Sequence, residues 1–378
     1  MDQYSSIHDF SRLRGLTILE PCYVDGNMRE NADITPYLIH FPNLEYFRVQ
    51  SYRADAILTI ALATTKLSDS SRLKLYAAST LGWIFGSYSI HHAIVRIKTL
   101  KECCFPALQA LRLSTQTLYD PICTFVETIS STRLVEVVID YIVVGGVDEL
   151  LRVLATGSSK SSLRTLGLHY AVRDSDTSVD DVAHLEQPML PSNTVTYKTL
   201  GYLAHLTSLQ YLHIHTPYIK LDETELDQLT PTLPKTLTYL HLGPASMKVL
   251  KNTSPAISLD ALRFISRDCP QLKELCVSVD MDVGPSPLPQ DWRSHSRLEY
   301  MRITLPSPRP AEMARYLLAL FPVLCSVYFD SRCYTDSRSV EDWKRILGEM
   351  TDATRGKIAF KVVDSLAYRL NDIFQYFP

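Results

Sequence analysis

The sequence predicts an α/β solenoid, with parallel strands lining the inside of a coil and helices its outside. Three observations lead there. One short phrase, L-x-x-L-x-L, is written three times: LQYLHI from Leu209, LTYLHL from Leu237 and LKELCV from Leu272. The last three positions of each copy alternate apolar, polar, apolar, as a half-buried strand does. The copies recur at steps of 28 and 35 residues, which is the spacing of a repeat array.

Taken along the chain, the phrase recurs at Leu13 (LRGLTI), Leu44 (LEYFRV), Leu108 (LQALRL), Leu134 (LVEVVI), Leu163 (LRTLGL), Leu298 (LEYMRI) and Leu324 (LCSVYF). A degenerate copy near Leu73 (LKLYAA) divides the gap between Leu44 and Leu108, which is twice the usual step. Between the strand phrases, apolar residues take helical spacing over 54–63, 121–129, 147–154, 197–205, 259–265, 313–320 and 340–347. Several of these segments carry a start signal: Asp120 before Pro121, Asp148, and Ser258 before Leu259. Parallel strands need a crossover of a dozen or more residues, and these helices supply it. Phe41-Pro42, Phe105-Pro106, Cys269-Pro270 and Phe321-Pro322 each stand just ahead of a phrase. Proline cannot continue the preceding helix, so it marks the turn into the next strand.

The phrase is the core signature of a leucine-rich repeat. The expected fold is therefore an α/β leucine-rich repeat solenoid, a horseshoe with parallel inner strands and outer helices, built as a single domain over residues 1–378 with about ten repeats. Leu163 to Leu209 is an over-long step, and its surplus falls in 171–193, rich in Asp, Ser and Thr, which reads as an exposed insertion. A solenoid needs its last apolar layer covered. Residues 331–378 are read as that C-terminal capping region, with a helix containing Trp343, the apolar run 358–363 and an amphipathic segment through Leu366, Leu370, Ile373 and Phe377.

Hydrophobic residues make up 46% of the chain, ample for a core, and the net charge of -3 gives no attraction to nucleic acid or an anionic membrane. Eight cysteines in 378 residues form no C-x-x-C pair and no disulfide framework, so reduced thiols are expected. The opening MDQYSSIHDF lacks a basic region followed by an apolar run, and no apolar stretch is long and unbroken enough to span a bilayer. The expectation is an intracellular protein, cytoplasmic and/or nuclear, in which the glycosylation-type triplet Asn252-Thr253-Ser254 carries little weight.

In each phrase the leucine positions point into the coil, so the third, fifth and seventh positions face out of the concave sheet. The candidate partner-binding residues there are Tyr46, Arg48, Arg112, Tyr211, His213, His215, Tyr239, His241, Glu274, Tyr300, Arg302 and Tyr328. Amphipathic aromatics beside Arg and His anchor protein interfaces, because each gives much contact area with a polar handle. The same aromatics also ladder across parallel strands and stabilise the sheet, so both readings stand at this point. Tyr211, Tyr239 and Tyr300 share one column; His213, His241 and Cys276 share the next, at a strand spacing of about 4.8 Å that approaches zinc-ligand distances. That row matches no zinc motif, and no metal is expected. Asp174, Asp176, Asp180 and Asp181 lack the glycine and glutamate of a calcium loop, with Val179 and Leu185 in their places. The chain has no G-x-S-x-G elbow, P-loop or H-E-x-x-H, and Gly145-Gly146 lacks the third glycine of a dinucleotide fingerprint. The vicinal pair Cys103-Cys104 reads as inert thiols. The chain is expected to be no enzyme and to hold no cofactor.

The blocks LDETELDQLTPTLPKTLTYLHLGPAS, ISLDALRFISRDCPQLKELCVSVD and EMARYLLALFPVLCSVYFD, followed by VEDWKRIL, resemble the leucine-rich repeat portion of fungal, basidiomycete-type F-box proteins. The resemblance covers most of 200–347 and is looser over 13–168. It implies a module that recognises a protein substrate on its concave face for a Skp-cullin-F-box type ubiquitin ligase. The F-box, a helical segment with Leu-Pro near its start and Trp near its end, has no counterpart ahead of Leu13. A Skp-type adaptor would bind only where an F-box is supplied upstream. An F-box-independent scaffold that binds protein partners is the alternative.

Overall fold

In an extended strand every second side chain points to the same side, so the apolar triplets dictate which side of each strand must be covered. A computed structural model describes strands Gly15–Leu19, Tyr46–Ser51 and Lys74–Ser79 by their backbone. It further describes residues 108–115, 118, 120–127, 129–141, 145–170, 194–216, 219–243, 257–280, 284–303, 309–330 and 340–363. The triplets behave as the pattern requires. Leu134, Val137 and Ile139, or Leu272, Leu275 and Val277, are at most 1% exposed, and the other described triplets are likewise buried. Each of these repeats thus contributes three side chains to the apolar layer of its own unit, worth roughly 1.5–3 kcal/mol per buried side chain.

The chain divides into two compact units, residues Met1–Ala171 with His205–Ser208, and Val172–Ala204 with Leu209–Pro378. In the first, β1 (Gly15–Leu19), β2 (Tyr46–Ser51), β3 (Lys74–Ser79), β4 (Ala110–Thr115), β5 (Glu136–Tyr141) and β6 (Thr165–Tyr170) pair in chain order, all parallel. Gly15 faces Tyr46, Tyr46 faces Lys74, Lys74 faces Ala110, Ala110 faces Glu136 and Glu136 faces Thr165. The degenerate phrase at Leu73 therefore forms a strand in register. Helix α1 (Asp120–Glu127) begins at the Asp120-Pro121 signal, and α2 (Val147–Thr156) packs beside it, burying Val147, Leu150, Leu151 and Leu154. The start of α2 differs from the sequence reading: the N-cap is Gly146, with φ of 80°, and Asp148 lies inside the first turn. A Cβ at Gly146 would come within 2.7 Å of the Leu118 carbonyl carbon, so this glycine serves close backbone packing.

In the second unit, α3 (Tyr197–Gly201) precedes β7 (Tyr211–His215), and α4 (Glu223–Leu229) leads by a 3-10 turn to β8 (Tyr239–Gly243). Helix α4 starts with a capping box: the Glu225 amide donates to Asp222 Oδ1 at 2.7 Å, and the Asp222 amide to Glu225 Oε2 at 3.1 Å. Then come β9 (Ile257–Ser258), α5 (Leu262–Asp268), β10 (Glu274–Val277), β11 (Val279–Asp280) and β12 (Tyr300–Ile303). The unit ends with α6 (Pro310–Leu320), β13 (Ser326–Asp330), α7 (Val340–Ala353) and β14 (Ala359–Val363). Strands β7, β8, β10, β12, β13 and β14 pair in that order, all parallel, while β9 and β11 form a small separate pair. Ser258 caps the turn before α5 as its position suggested, accepting from the Ala261 amide. The α/β leucine-rich repeat fold, with parallel strands and helices between them, is thus present in both units. The insertion 171–193, the segment 54–63 and the amphipathic segment after Val363 lie outside the described residues.

Two recurrent devices set the register. Pro270 and Pro322 occupy the second place of turns closed by the Leu272 amide donating to Cys269 O (3.1 Å) and the Leu324 amide to Phe321 O (3.0 Å). Proline's fixed φ thus delivers the first leucine of each phrase directly from the helix end. The second device is a hydroxyl rung. Ser131 donates to Leu108 O (2.6 Å), Ser162 to Leu134 O (2.9 Å) and Thr236 to Leu209 O (2.7 Å), each tying a phrase to the one before it. Among the described residues no helix is long and apolar enough to cross a membrane.

Leu275 is fully buried in the central β10, where its neighbours across the register are Leu240 and Met301. Leu275→Ala should cost about 2–5 kcal/mol, seen as a lower urea midpoint.

Candidate partner-binding face

The register that stacks the triplets also stacks the alternate positions on the open side of each sheet. In the second unit the third positions run Tyr211, Tyr239, Glu274, Tyr300, Ser326 and Ala359 across β7, β8, β10, β12, β13 and β14. The fifth positions run His213, His241, Cys276, Arg302, Tyr328 and Lys361. Burial alternates accordingly: Tyr211, His213 and His215 are half-buried, while Leu212 and Ile214 between them are fully buried.

Strand spacing is close to ring-stacking distance, so like residues at like positions meet face to face. Tyr211 and Tyr239 stack with centroids 4.0 Å apart and planes 10° from parallel. His213 and His241 stack at 3.9 Å and 16°. His215 leans against His213 (6.0 Å) and His241 (5.8 Å), and His213 against Tyr239 (6.2 Å), completing a five-ring patch over two strands. Such pairs are worth roughly 0.5–1.5 kcal/mol beyond area. The sheet-stabilising role of these aromatics is therefore real, and it also holds them rigid.

Gly243 makes room for this arrangement. A Cβ there would lie 2.7 Å from His241 Nε2, so the imidazole folds over a position that only glycine leaves open. Stacked imidazoles project their nitrogens side by side in parallel planes rather than toward a common point. Among the described residues no group of His, Cys, Asp and Glu is arranged to hold a metal ion.

Toward the C-terminal strands the face changes character. Tyr300 is 39% exposed, unusual for a large side chain on an interior strand, and the third-position residues beyond it, Ser326 and Ala359, are small. Arg302 sits one strand from Tyr328, and Lys361 Nζ lies 6.0 Å from the Tyr328 ring centroid in a cation–π contact. Lys361 escaped the sequence reading because its strand opens irregularly: Lys357 stands at the first leucine position, and the fully buried Ile358 follows it one place late. The alternation Ile358, Phe360, Val362 was the signal for it.

The remaining candidates lie in the first unit. Tyr46 and Arg48 are on β2, whose side chains fall outside the description. Arg112 forms an ion pair through Nε with Glu136 Oε1 on the neighbouring strand, with both side chains under 20% exposed. His169 Nδ1 lies 2.9 Å from Asp140 Oδ1 across β5 and β6, and its ring covers Gly167, where a Cβ would meet Nε2 at 3.0 Å. The expected outward exposure fails at Val138 and Gly167, both buried, because a valine and a side-chain-free position between these pairs leave little to project. On β4 to β6 Arg112 and Glu136 thus pair with each other, and Asp140 lies against His169.

The described cysteines are reduced, and burial pushes the Cys269 thiol up to about 12, far from a nucleophile's range. The Cys103-Cys104 pair and the acidic run from Asp174 lie outside the described residues.

No protein-family model matches this chain, and no curated protein matches it. Among solved structures, a chain in the crystal structure of the Rad7 and Elc1 complex in yeast aligns with 78% of this chain at 12% identity and a TM-score of 0.44. This chain spans 66% of that chain's length. A likeness so loose transfers neither site nor partner.

Burial first, then the neighbouring Tyr211, Cys276 and Glu274, hold the Tyr239 phenol well above its ordinary value. Since the folded pKa is raised, the unfolded chain loses this proton first, and stability present below pH 10 declines as pH rises above it. Tyr239→Phe should flatten that decline, measured as urea midpoints from pH 8.5 to 11.

Proposed function

We propose that the open sheet face of the second unit binds protein partners, and that the chain is the substrate-recognition part of a Skp-cullin-F-box type ubiquitin ligase. The observation that carries the binding reading is two adjacent rows of exposed or half-buried aromatic and cationic side chains on rigid, register-locked strands: Tyr211, Tyr239 and Tyr300 in one, Arg302 and Tyr328 in the other. Residues of these types supply the central energy of interfaces, and their stacking lowers the entropy lost on binding. The ligase role is supported by the sequence resemblance to fungal F-box proteins. In this reading the chain performs no chemistry of its own and works in the cytoplasm and/or nucleus.

The binding face and the ligase role are separable. With Tyr239→Ala and Tyr300→Ala together, partner capture from an extract of the native cells should drop by about tenfold or more at a temperature where both proteins are folded, as expected for interface anchors. Equal capture would remove the face from consideration. The ligase role predicts that the protein isolated from its own cells brings a Skp-type adaptor with it. Partner capture without any adaptor would leave the F-box-independent scaffold as the function.

A further inference from the structure

We infer that the partner segment read by this face is an extended peptide of about seven residues, apolar or aromatic at one end and carboxylate-bearing at the other. The inference rests on the partner-binding reading above and specifies what is bound.

The length follows from the strand count. From β7 to β14 the paired strands make five steps of about 4.8 Å, roughly 24 Å, which an extended chain covers in about seven residues at about 3.3 Å each. The polarity follows from how the side chains are distributed. At the β7–β8 end the third and fifth positions hold Tyr211, Tyr239, His213 and His241, stacked rings with no Asp, Glu, Lys or Arg among them. Ring faces of this kind take an aromatic, leucine or proline side chain. At the β12–β14 end the fifth positions hold Arg302 and Lys361, with Tyr328 between them. Glu274, the one carboxylate at the third and fifth positions of these strands, stands on β10, three strand steps from Lys361. Lys361 is exposed, and no ion pair joins it to a carboxylate among the described residues.

The placement of the two cations selects carboxylates over a phosphate. Arg302 and Lys361 stand two strands apart, about 10 Å, whereas a phosphate group draws convergent donors onto one centre. Two acidic side chains two or three residues apart on an extended peptide match that separation. On β12 to β14 the third positions fall from exposed Tyr300 to small Ser326 and Ala359, which leaves space for the peptide backbone beside the two cations.

The test pans the purified full chain against a phage-displayed library of random seven-residue peptides, then measures synthetic copies of the enriched sequences by fluorescence polarisation. The expected result is enrichment of Asp or Glu near one end with an aromatic, leucine or proline near the other. Lys361→Glu and Arg302→Gln should each weaken these peptides by about tenfold, as loss of a complementary charge does, and Tyr239→Ala should weaken them separately. Lys361 is exposed, so its reversal reports on binding even if the Arg302 variant folds poorly. Enriched peptides that depend on Tyr239 but show no acidic bias and ignore Lys361→Glu would overturn this inference and leave the binding face intact. Failure to enrich any peptide sensitive to these substitutions would overturn both.

Discussion

The parallel register is the constraint on which everything else here depends, and buried leucine triplets enforce it. A one-residue slip of any strand would turn its triplet to solvent and put Tyr, His or Arg into the core. That penalty, several buried aliphatic side chains per strand, far exceeds any single surface contact. Because the register is so strongly fixed on the covered side, positions on the open side inherit it without further cost. Tyr211 opposite Tyr239, and His213 opposite His241, are consequences of core packing before they are features of a surface.

The two units use the same scaffold with different surface chemistry. On β4 to β6 the open side pairs its own polar groups, Arg112 with Glu136 as an ion pair and His169 Nδ1 against Asp140 Oδ1. Such cross-strand pairs stabilise a sheet modestly and leave little unsatisfied charge to offer a partner. On β7 to β14 the rings stack among themselves and the cations lie apart from the stack, so apolar area and charge occupy separate ends of one surface. Separation of that sort gives a bound segment a direction, since reversing the segment would place its acids on aromatic faces.

Much of this was legible in the sequence because a period of two within a strand and of about 30 between strands are both strong signals. The weak phrase at Leu73 was found by spacing alone and is strand β3. Helix α4 was missed because only Leu226 and Leu229 mark its covered side, although Asp222 with Glu225 is a capping box readable in the letters. Lys361 was missed because its strand shifts the first apolar residue by one place. What no pattern conveys is the fit of rings to gaps: the folding of His241 over Gly243 and of His169 over Gly167 depends on rotamers that composition does not specify.

The proline turns ahead of β10 and β13 have an evolutionary corollary. Five residues join Asp268 to Glu274 and five join Leu320 to Ser326, and in each link a proline and a closing hydrogen bond leave no slack. Within the second unit the links from strand to helix are longer and uneven: seven residues after His215, six after Ile303 and nine after Asp330. In this unit extra sequence is therefore absorbed more readily after a strand than in the closed turns ahead of β10 and β13, and a lineage that diversifies it by insertion would lengthen the former while the latter stay bare.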